Sequence, residues 1–192
     1  MNMRKSEWLL IYYLLSDKRN PNKTIRQLAD ETGLSLGSVH AAVKKLQDQG
    51  FLIENNGLTI LRKRSILIEQ WAKAYAQFKP KYLLTRFTFL SQQVRDQWQN
   101  IALPCTLSWG GEPAANILDG YIQPEQWDIY TADNADTLIA TGRMIPSPSG
   151  EIHVYKRFWQ TDGTPLMVVY ADLLSTNDDR CREAAERMKP ML

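Results

Sequence analysis

The stretch Ser35–Gly50 carries the side chains that are best suited to contact a DNA duplex. Apolar residues recur at i, i+4 and i+7 from Val39, which predicts an amphipathic helix. The other face of that helix combines small polar side chains near its start with Lys44 and Lys45 near its end. A helix in a major groove needs short side chains for close approach, donors for base edges and cations for phosphates. An ordinary solvated amphipathic helix has the same pattern. The neighbouring elements must therefore decide whether this is a DNA-recognition helix.

Start and stop signals place a second helix just before this one. We call the helix predicted within Ser35–Gly50 the recognition helix. Ser35 can cap it by accepting a hydrogen bond from a backbone N–H of the first turn, and Gly50 can end it. Thr24, followed three residues later by Gln27, has the capping-box spacing and predicts a short helix that stops at Gly33. Two helices joined by a short turn with glycine form the helix-turn-helix arrangement.

A hairpin and a basic run follow the predicted recognition helix, and a first helix is predicted over residues 4–16. Asn56-Gly57 lies between two β-prone runs, which is a strong hairpin signal because both turn residues need positive φ. Arg62–Arg64 leave the hairpin; they would face phosphates if they lie beside the recognition helix, although such a run alone is typical of a solvated linker. Over residues 4–64 the combination resembles the winged helix-turn-helix domains of bacterial transcription regulators.

These patterns select the residues that we expect to contact DNA. They come from the helix caps, the polar face of the recognition helix, the hairpin and the basic run. The set is Thr24, Ser35, Gly37, Ser38, His40, Ala41, Lys44, Lys45, Asn55, Asn56, Arg62, Lys63 and Arg64. Among them the cations would bind phosphates, while Ser38 and His40 would influence base preference.

The charge of the chain is unevenly distributed. Residues 1–80 contain 13 Lys and Arg against 7 Asp and Glu, a net charge of +6, whereas residues 81–192 contain 10 against 14, a net charge of −4. A basic front half favours a nucleic-acid partner for that half only. Cys105 and Cys181 match no metal or redox spacing, so a reducing, cytoplasmic location is expected. No apolar run approaches the length of a membrane span, and no membrane partner is expected.

Residues 65–78 are predicted to form a fourth helix with a large aromatic face. Two interpretations remain open for it: a connector that packs on both domains, or a helix that mediates a homodimer. We therefore predict a winged helix-turn-helix domain over 1–64, a linker or dimer helix over 65–81, and a further domain over 82–192.

Strand and helix patterns alternate in the last of these segments, which predicts a small mixed α/β domain with a central sheet and an α+β class for the whole chain. Leu166–Tyr170 is continuously apolar and is predicted to be a central strand buried on both faces. Helices are predicted over 88–100, 112–120, 133–141 and from Asp178 or Asp179 to Met188; strands are predicted over 82–86, 106–109, 127–131 and 152–155.

The sequence of the second half contains no pattern that is specific for catalysis, metal binding or cofactor binding. Gly110-Gly111 matches no phosphate-loop fingerprint and favours a tight strand-to-helix turn. Glu112, Asp128 and Glu151 lack the spacing of a nuclease, and Asp172 is expected to cap or hydrogen-bond a turn. We expect no catalytic residue, no metal ligand and no cofactor. Two alternatives stay open: a regulator that binds a small ligand near Trp109 and Trp127, and a nuclease tethered to DNA.

Four stretches carry a family resemblance: W-G-G-E-P-A-A-N-I-L-D-G-Y-I-Q-P at 109–124, I-P-S-P-S-G-E-I-H-V-Y-K-R-F-W at 145–159, P-L-M-V-V-Y-A-D-L-L at 165–174, and the ending N-D-D-R-C-R-E-A-A-E-R-M. Following a winged helix, they resemble the AbiEi family of bacterial antitoxins and transcriptional regulators. The resemblance implies a protein that binds repeats in its own promoter and represses it. It also implies that the C-terminal domain counteracts a nucleotidyltransferase toxin in a type IV system, without requiring a stable complex.

Overall fold

A computed structural model describes residues 3–16, 23–55 and 58–192. The chain divides into two compact units, Met1–Tyr75 and Ala76–Leu192. This division falls inside the predicted fourth helix, while the predicted boundaries after residues 64 and 81 remain predictions.

The N-terminal unit contains the predicted helices and hairpin. Its elements are α1 (Lys5–Ser16), α2 (Ile25–Thr32), α3 (Leu36–Asp48), β1 (Leu52–Asn55), β2 (Leu58–Leu61) and α4 (Arg64–Phe78) as far as Tyr75. β1 and β2 pair antiparallel, with Leu52 opposite Leu61 and Asn55 opposite Leu58. This register is that of the predicted wing, although the Asn56-Gly57 turn itself lies outside the described residues, as does the predicted break over 20–22.

Local hydrogen bonds explain where α2 begins and where α3 begins and ends. Thr24 and Gln27 form the predicted capping box, and the Ser35 side chain accepts from the backbone N–H of Ser38. At the end of α3 the N–H of Gly50 donates to Gln47 at 2.8 Å, and the next N–H donates to the carbonyl of Leu46 at 2.8 Å. These two bonds form a Schellman motif, which requires the left-handed φ of +70° at Gly50.

Aromatic packing joins α1 to α4 inside the N-terminal unit. The rings of Trp8 and Trp71 stack at a centroid distance of 5.3 Å, and the Trp71 indole N–H donates to the Trp8 carbonyl at 3.1 Å. Tyr12 and Tyr75 flank this stack, with ring centroids 5.6 and 5.5 Å from Trp71. The aromatic face that suggested a dimer helix is therefore covered by α1 of the same chain.

The C-terminal unit is built on a mixed sheet. Its elements are β3 (Leu83–Phe89), α5 (Gln92–Asp96), β4 (Leu107–Gly110), α6 (Gly111–Asp119), β5 (Trp127–Thr131), β6 (Met144–Pro146), β7 (Ile152–Lys156), α7 (Leu166–Leu174) and α8 (Asp179–Met188), with 3₁₀ segments at Lys79–Tyr82, Trp98–Asn100, Asp136–Thr141 and Lys189–Met191. The strand order is β4-β5-β7-β3-β6. β5 and β7 run parallel, and the other neighbouring strands are antiparallel.

The prediction of a central strand at Leu166–Tyr170 is wrong, because this run is the first part of helix α7. Every residue from Met167 to Leu173 is buried, so the helix is apolar on almost all sides and shows no amphipathic period. A short apolar run cannot be assigned to strand or helix by periodicity alone. Pro165 directly precedes the helix with φ −60°, a position that proline tolerates because its missing N–H would have no intrahelical partner.

Two other predicted helices are shorter than expected. Thr88 and Phe89 belong to β3, and the helix that follows covers only Gln92–Asp96. It begins there because the Ser91 side chain caps it by accepting from the Val94 N–H. The segment predicted over 133–141 contains the 3₁₀ turn Asp136–Thr141, and β6, which follows it, was missed. No helix within the described residues is long and apolar enough to cross a membrane.

Candidate functional site

Helix α3 presents the small and cationic side chains that the sequence predicts for contact with DNA. Gly37, His40, Ala41 and Lys44 are exposed, while Ser38 is half-buried. The opposite face is anchored in the core by buried apolar side chains, which are Val39, Ala42, Val43 and Leu46. The hydroxyls of Ser35 and Ser38 are hydrogen-bonded to each other at 2.9 Å, which orients both at the start of the exposed face.

The remaining predicted contacts have different surroundings. Thr24, Arg62 and Lys63 are exposed. Arg64 is half-buried at the start of α4, and its guanidinium donates to the backbone carbonyl of Leu15. The guanidinium of Arg64 therefore joins α4 to the end of α1, a contact that the basic run could not reveal. Asn55 ends strand β1, and Asn56 lies outside the described residues.

A buried acid from α1 holds one of the two lysines of α3. The Lys45 ammonium lies 2.8 Å from Oε1 and 2.9 Å from Oε2 of Glu7. The Glu7 side chain is 5% exposed and that of Lys45 is 36% exposed. The sequence prediction missed Glu7, although a lone acid beside the apolar run of α1 is the signal of a buried ion pair. Lys44 and Lys45 are thus different in kind: one is exposed, and the other is neutralised by a partner.

A second polar cluster is buried in the C-terminal unit. The Lys79 ammonium lies 2.5 Å from Oδ2 of Asp128 and 2.7 Å from Oδ1 of Asp172. Asp172 also accepts from the Tyr130 hydroxyl at 2.7 Å and from the Gly111 N–H at 3.0 Å. Asp172 lies within helix α7, and its bond from the Gly111 N–H agrees with the expectation that it hydrogen-bonds a turn, here the strand-to-helix turn at Gly110-Gly111. The same carboxylate links α7 to the sheet and to the 3₁₀ segment that begins at Lys79.

Charge pairing decides the protonation of this cluster. Burial alone would lower the pKa of Lys79, but Asp128 and Asp172 outweigh it and raise the pKa above its usual value. Burial opposes ionisation of Asp128, yet Lys79 and His153 hold its pKa below the ordinary value. Burial raises the pKa of Asp172, against the attraction of Lys79. Burial and the nearby carboxylate of Asp128 also raise the pKa of Tyr155 to about 12.

The predicted turn at Gly110-Gly111 is tight because this cluster lies against it. A Cβ on Gly110 would lie 2.3 Å from the Tyr130 ring, and one on Gly111 would lie 2.9 Å from Oδ2 of Asp128. Gly111 also has a φ of +49°, which disfavours any residue with a side chain. Its N–H is bound to Asp172, as described above, so the turn serves the packing of the unit.

The other candidate residues of the second half are held by separate partners. Oε2 of Glu112 accepts from the Glu125 N–H at 2.8 Å, and Glu151 accepts from the Thr88 hydroxyl at 2.7 Å. Trp109 and Trp127 belong to a buried cluster with Trp98, with ring centroids 5.3 to 6.0 Å apart. Within the described part of the chain, no group of three or more His, Cys, Asp or Glu side chains is arranged to hold a metal ion.

Comparisons with known families agree with this architecture. A family model described as a transcriptional regulator, AbiEi antitoxin, of a type IV toxin–antitoxin system matches residues 60–191. A winged helix-turn-helix DNA-binding model matches residues 9–53. No curated protein matches the chain.

The pairing of Lys45 gives a stability test with a matched control. Lys45→Ala leaves the Glu7 carboxylate buried without its cation, so the free energy of unfolding should fall by about 1–3 kcal/mol. Lys44→Ala changes an exposed residue of the same type in the same helix and should change it by less than about 0.5 kcal/mol. Urea denaturation of both variants measures the difference. Equal stabilities would contradict the assigned role of Glu7.

Loss of Lys79 should make stability depend on pH in a defined direction. Lys79→Met leaves two buried carboxylates close together, which should cost about 3–5 kcal/mol at neutral pH. Without the cation their pKa values rise above the unfolded values, so the folded variant binds protons more tightly and gains stability as the pH falls. The deficit relative to the unsubstituted protein should therefore shrink between about pH 8 and pH 5. Denaturation at both pH values measures this deficit, and Lys156→Met, which removes an exposed lysine, is the control. A deficit of Lys79→Met that is the same at both pH values would contradict the assignment of charged carboxylates to this cluster.

Proposed function

Because this chain belongs to the AbiEi family of transcriptional regulators and antitoxins of type IV toxin–antitoxin systems, we propose that it both represses its own promoter and acts as an antitoxin. Its N-terminal unit is a winged helix-turn-helix DNA-binding domain. The proposal assigns to this unit the binding of inverted repeats upstream of its own gene. It assigns to the C-terminal unit the task of counteracting a nucleotidyltransferase toxin.

The exposed face of α3 is the observation that carries the DNA-binding part of this proposal. Small residues at Gly37 and Ala41 let the helix backbone approach the floor of a major groove, and Ser38 and His40 bring donors for base edges. Lys44 adds an exposed cation at the level of the phosphates. The helix is held rigidly by its caps and its buried face, which keeps these groups in one register.

The wing supplies the second group of proposed phosphate contacts. β1 and β2 follow α3 directly, and the exposed Arg62 and Lys63 leave the hairpin at its base. Arg64 and Lys45 are placed in a supporting role, since each has an internal partner in Leu15 or Glu7. Among the residues of α3 and the wing, we therefore expect Lys44, Arg62 and Lys63 to contribute most of the sequence-independent affinity.

The antitoxin part of the proposal rests on the family match over residues 60–191. In type IV systems the antitoxin need not form a stable complex with its toxin, so the effect is measured on toxicity and not by co-purification. Residues 81–192 have a net charge of −4, which opposes contact with phosphates. We therefore assign DNA binding to the N-terminal unit.

Salt titration tests the DNA-binding proposal. In gel shifts with the upstream DNA at two salt concentrations, Lys44→Ala should lower the salt slope by about 0.9, and the Arg62→Ala/Lys63→Ala pair by about 1.8, because each lost contact releases one fewer counterion. Affinity for unrelated DNA should fall in parallel. Arg182→Ala in the exposed surface of α8 is the control and should leave both unchanged. Unchanged slopes in the α3 and wing variants would refute these contacts.

A separation-of-function experiment tests the antitoxin role. The full chain carrying Lys44→Ala, Arg62→Ala and Lys63→Ala should no longer bind the promoter yet should still rescue growth when a nucleotidyltransferase toxin from a neighbouring gene is co-expressed. Expression of both chains is driven from heterologous promoters, so loss of repression does not alter the doses. Failure of the unsubstituted chain to rescue growth would refute the antitoxin role, whereas failure of the triple variant alone would place neutralisation on the DNA-binding surface.

A further inference from the structure

A polar cleft of about 500 Å³ lies between the N-terminal end of α1 and the middle of α3. We call it the α1–α3 cleft; it is lined by Arg4, Ser6, Glu7, Ser38, Ala41, Ala42 and Lys45. Arg4 precedes α1, and its carbonyl accepts the first helical bond, from the Trp8 N–H at 2.9 Å. Sequence patterns gave no role to Arg4 or Ser6, since both precede the apolar run of the helix.

We propose that the α1–α3 cleft seats the sugar-phosphate backbone of the bound DNA strand, with Arg4 as a phosphate ligand and Glu7 as the residue that neutralises the charge of Lys45. This inference rests on the proposed function, because it extends the same DNA-binding surface. It adds a third element, the start of α1, to the recognition helix and the wing.

The lining of the cleft favours an anionic, polar occupant. Its lining side chains include two cations, two hydroxyls and one carboxylate, and its only apolar residues are two alanines. Sites for small organic ligands are lined predominantly by apolar and aromatic side chains. Arginine presents several donors in a planar fork that matches the oxygen atoms of a phosphate.

The position of the cleft identifies DNA as the source of that phosphate. Ser38, Ala41 and Lys45 follow one another at spacings of three and four residues, so they form one stripe along α3. Ser38 and Ala41 also belong to the surface that the proposed function directs at the duplex. A strand that passes this stripe comes next to Arg4, which is exposed at the other wall of the cleft.

The buried acid in the cleft is compatible with a phosphate because it is already neutralised. The Lys45 ammonium donates a hydrogen bond to Oε2 of Glu7 at 2.9 Å and lies 2.8 Å from Oε1, with which its contact is electrostatic. The pair holds the ammonium at the cleft wall without net charge, while the 36% exposure of Lys45 keeps part of it accessible. Arg4 then supplies the net positive charge of the cleft.

The experiment compares Arg4→Ala with Lys5→Ala in the full chain, using gel shifts with the promoter and with unrelated DNA at two salt concentrations. Lys5 is exposed and adjacent in sequence but does not line the cleft. Arg4→Ala should weaken binding to both DNAs by the same factor and lower the salt slope by about 0.9, and Lys5→Ala should do neither. Glu7→Gln, which frees the charge of Lys45, should tighten binding to both DNAs and steepen the slope by a similar amount; a purely structural role would not move the slope in this direction.

Three outcomes overturn the inference. If Arg4→Ala behaves like Lys5→Ala while Lys44→Ala still weakens binding, the cleft is not a backbone site and the proposed function stands. If the unsubstituted chain does not bind its promoter, the proposed function fails first. Inorganic phosphate at matched ionic strength should compete no better than chloride; competition that Arg4→Ala abolishes would identify a free-anion site instead of a DNA contact.

Discussion

The ion pair between Glu7 and Lys45 fixes both the position and the charge of the recognition helix. An ionised carboxylate in a nearly dry site is stable only with a partner, and the partner here comes from 38 residues further along the chain. The pair therefore joins α1 to α3 at the wall of the polar α1–α3 cleft. Because Lys45 is neutralised in this way, two adjacent lysines of one helix take different roles, and Lys44 remains as the exposed cation.

The C-terminal unit is organised by the same constraint with the signs exchanged. There a buried cation, Lys79, is held by carboxylates from β5 and α7, and the tyrosine and backbone donors around Asp172 satisfy the remaining oxygen positions. Gly110 and Gly111 follow from this arrangement, because a side chain at either position would collide with the cluster. The glycine pair of this strand-to-helix turn is thus a consequence of packing around a buried charge.

Local signals in the sequence were enough to predict the starts of α2 and α3 and the pairing of the hairpin strands. Caps such as Thr24 and Ser35 act within three residues, and hairpin register is set by neighbours in the chain, so both are legible without a structure. The ion pairs are not legible in this way, because Glu7 and Lys45, or Lys79 and Asp128, meet only after the whole unit has folded. The helix at Leu166–Leu174 was mistaken for a strand for a related reason: burial on all sides removes the period that distinguishes the two.

Neutralising a lysine on a DNA-binding helix has a consequence for specificity under the proposed function. Each exposed cation near the phosphates strengthens binding to every sequence equally through counterion release. Contacts to base edges from Ser38 and His40 strengthen binding only to the correct site. A repressor that must find one promoter among a large excess of other DNA depends on the ratio of its affinity for the promoter to its affinity for unrelated DNA, not on its total affinity. Pairing Lys45 with Glu7 lowers the affinity for DNA of any sequence and leaves the side chains that contact base edges unchanged. The buried acid of α1 therefore favours discrimination at the expense of total affinity.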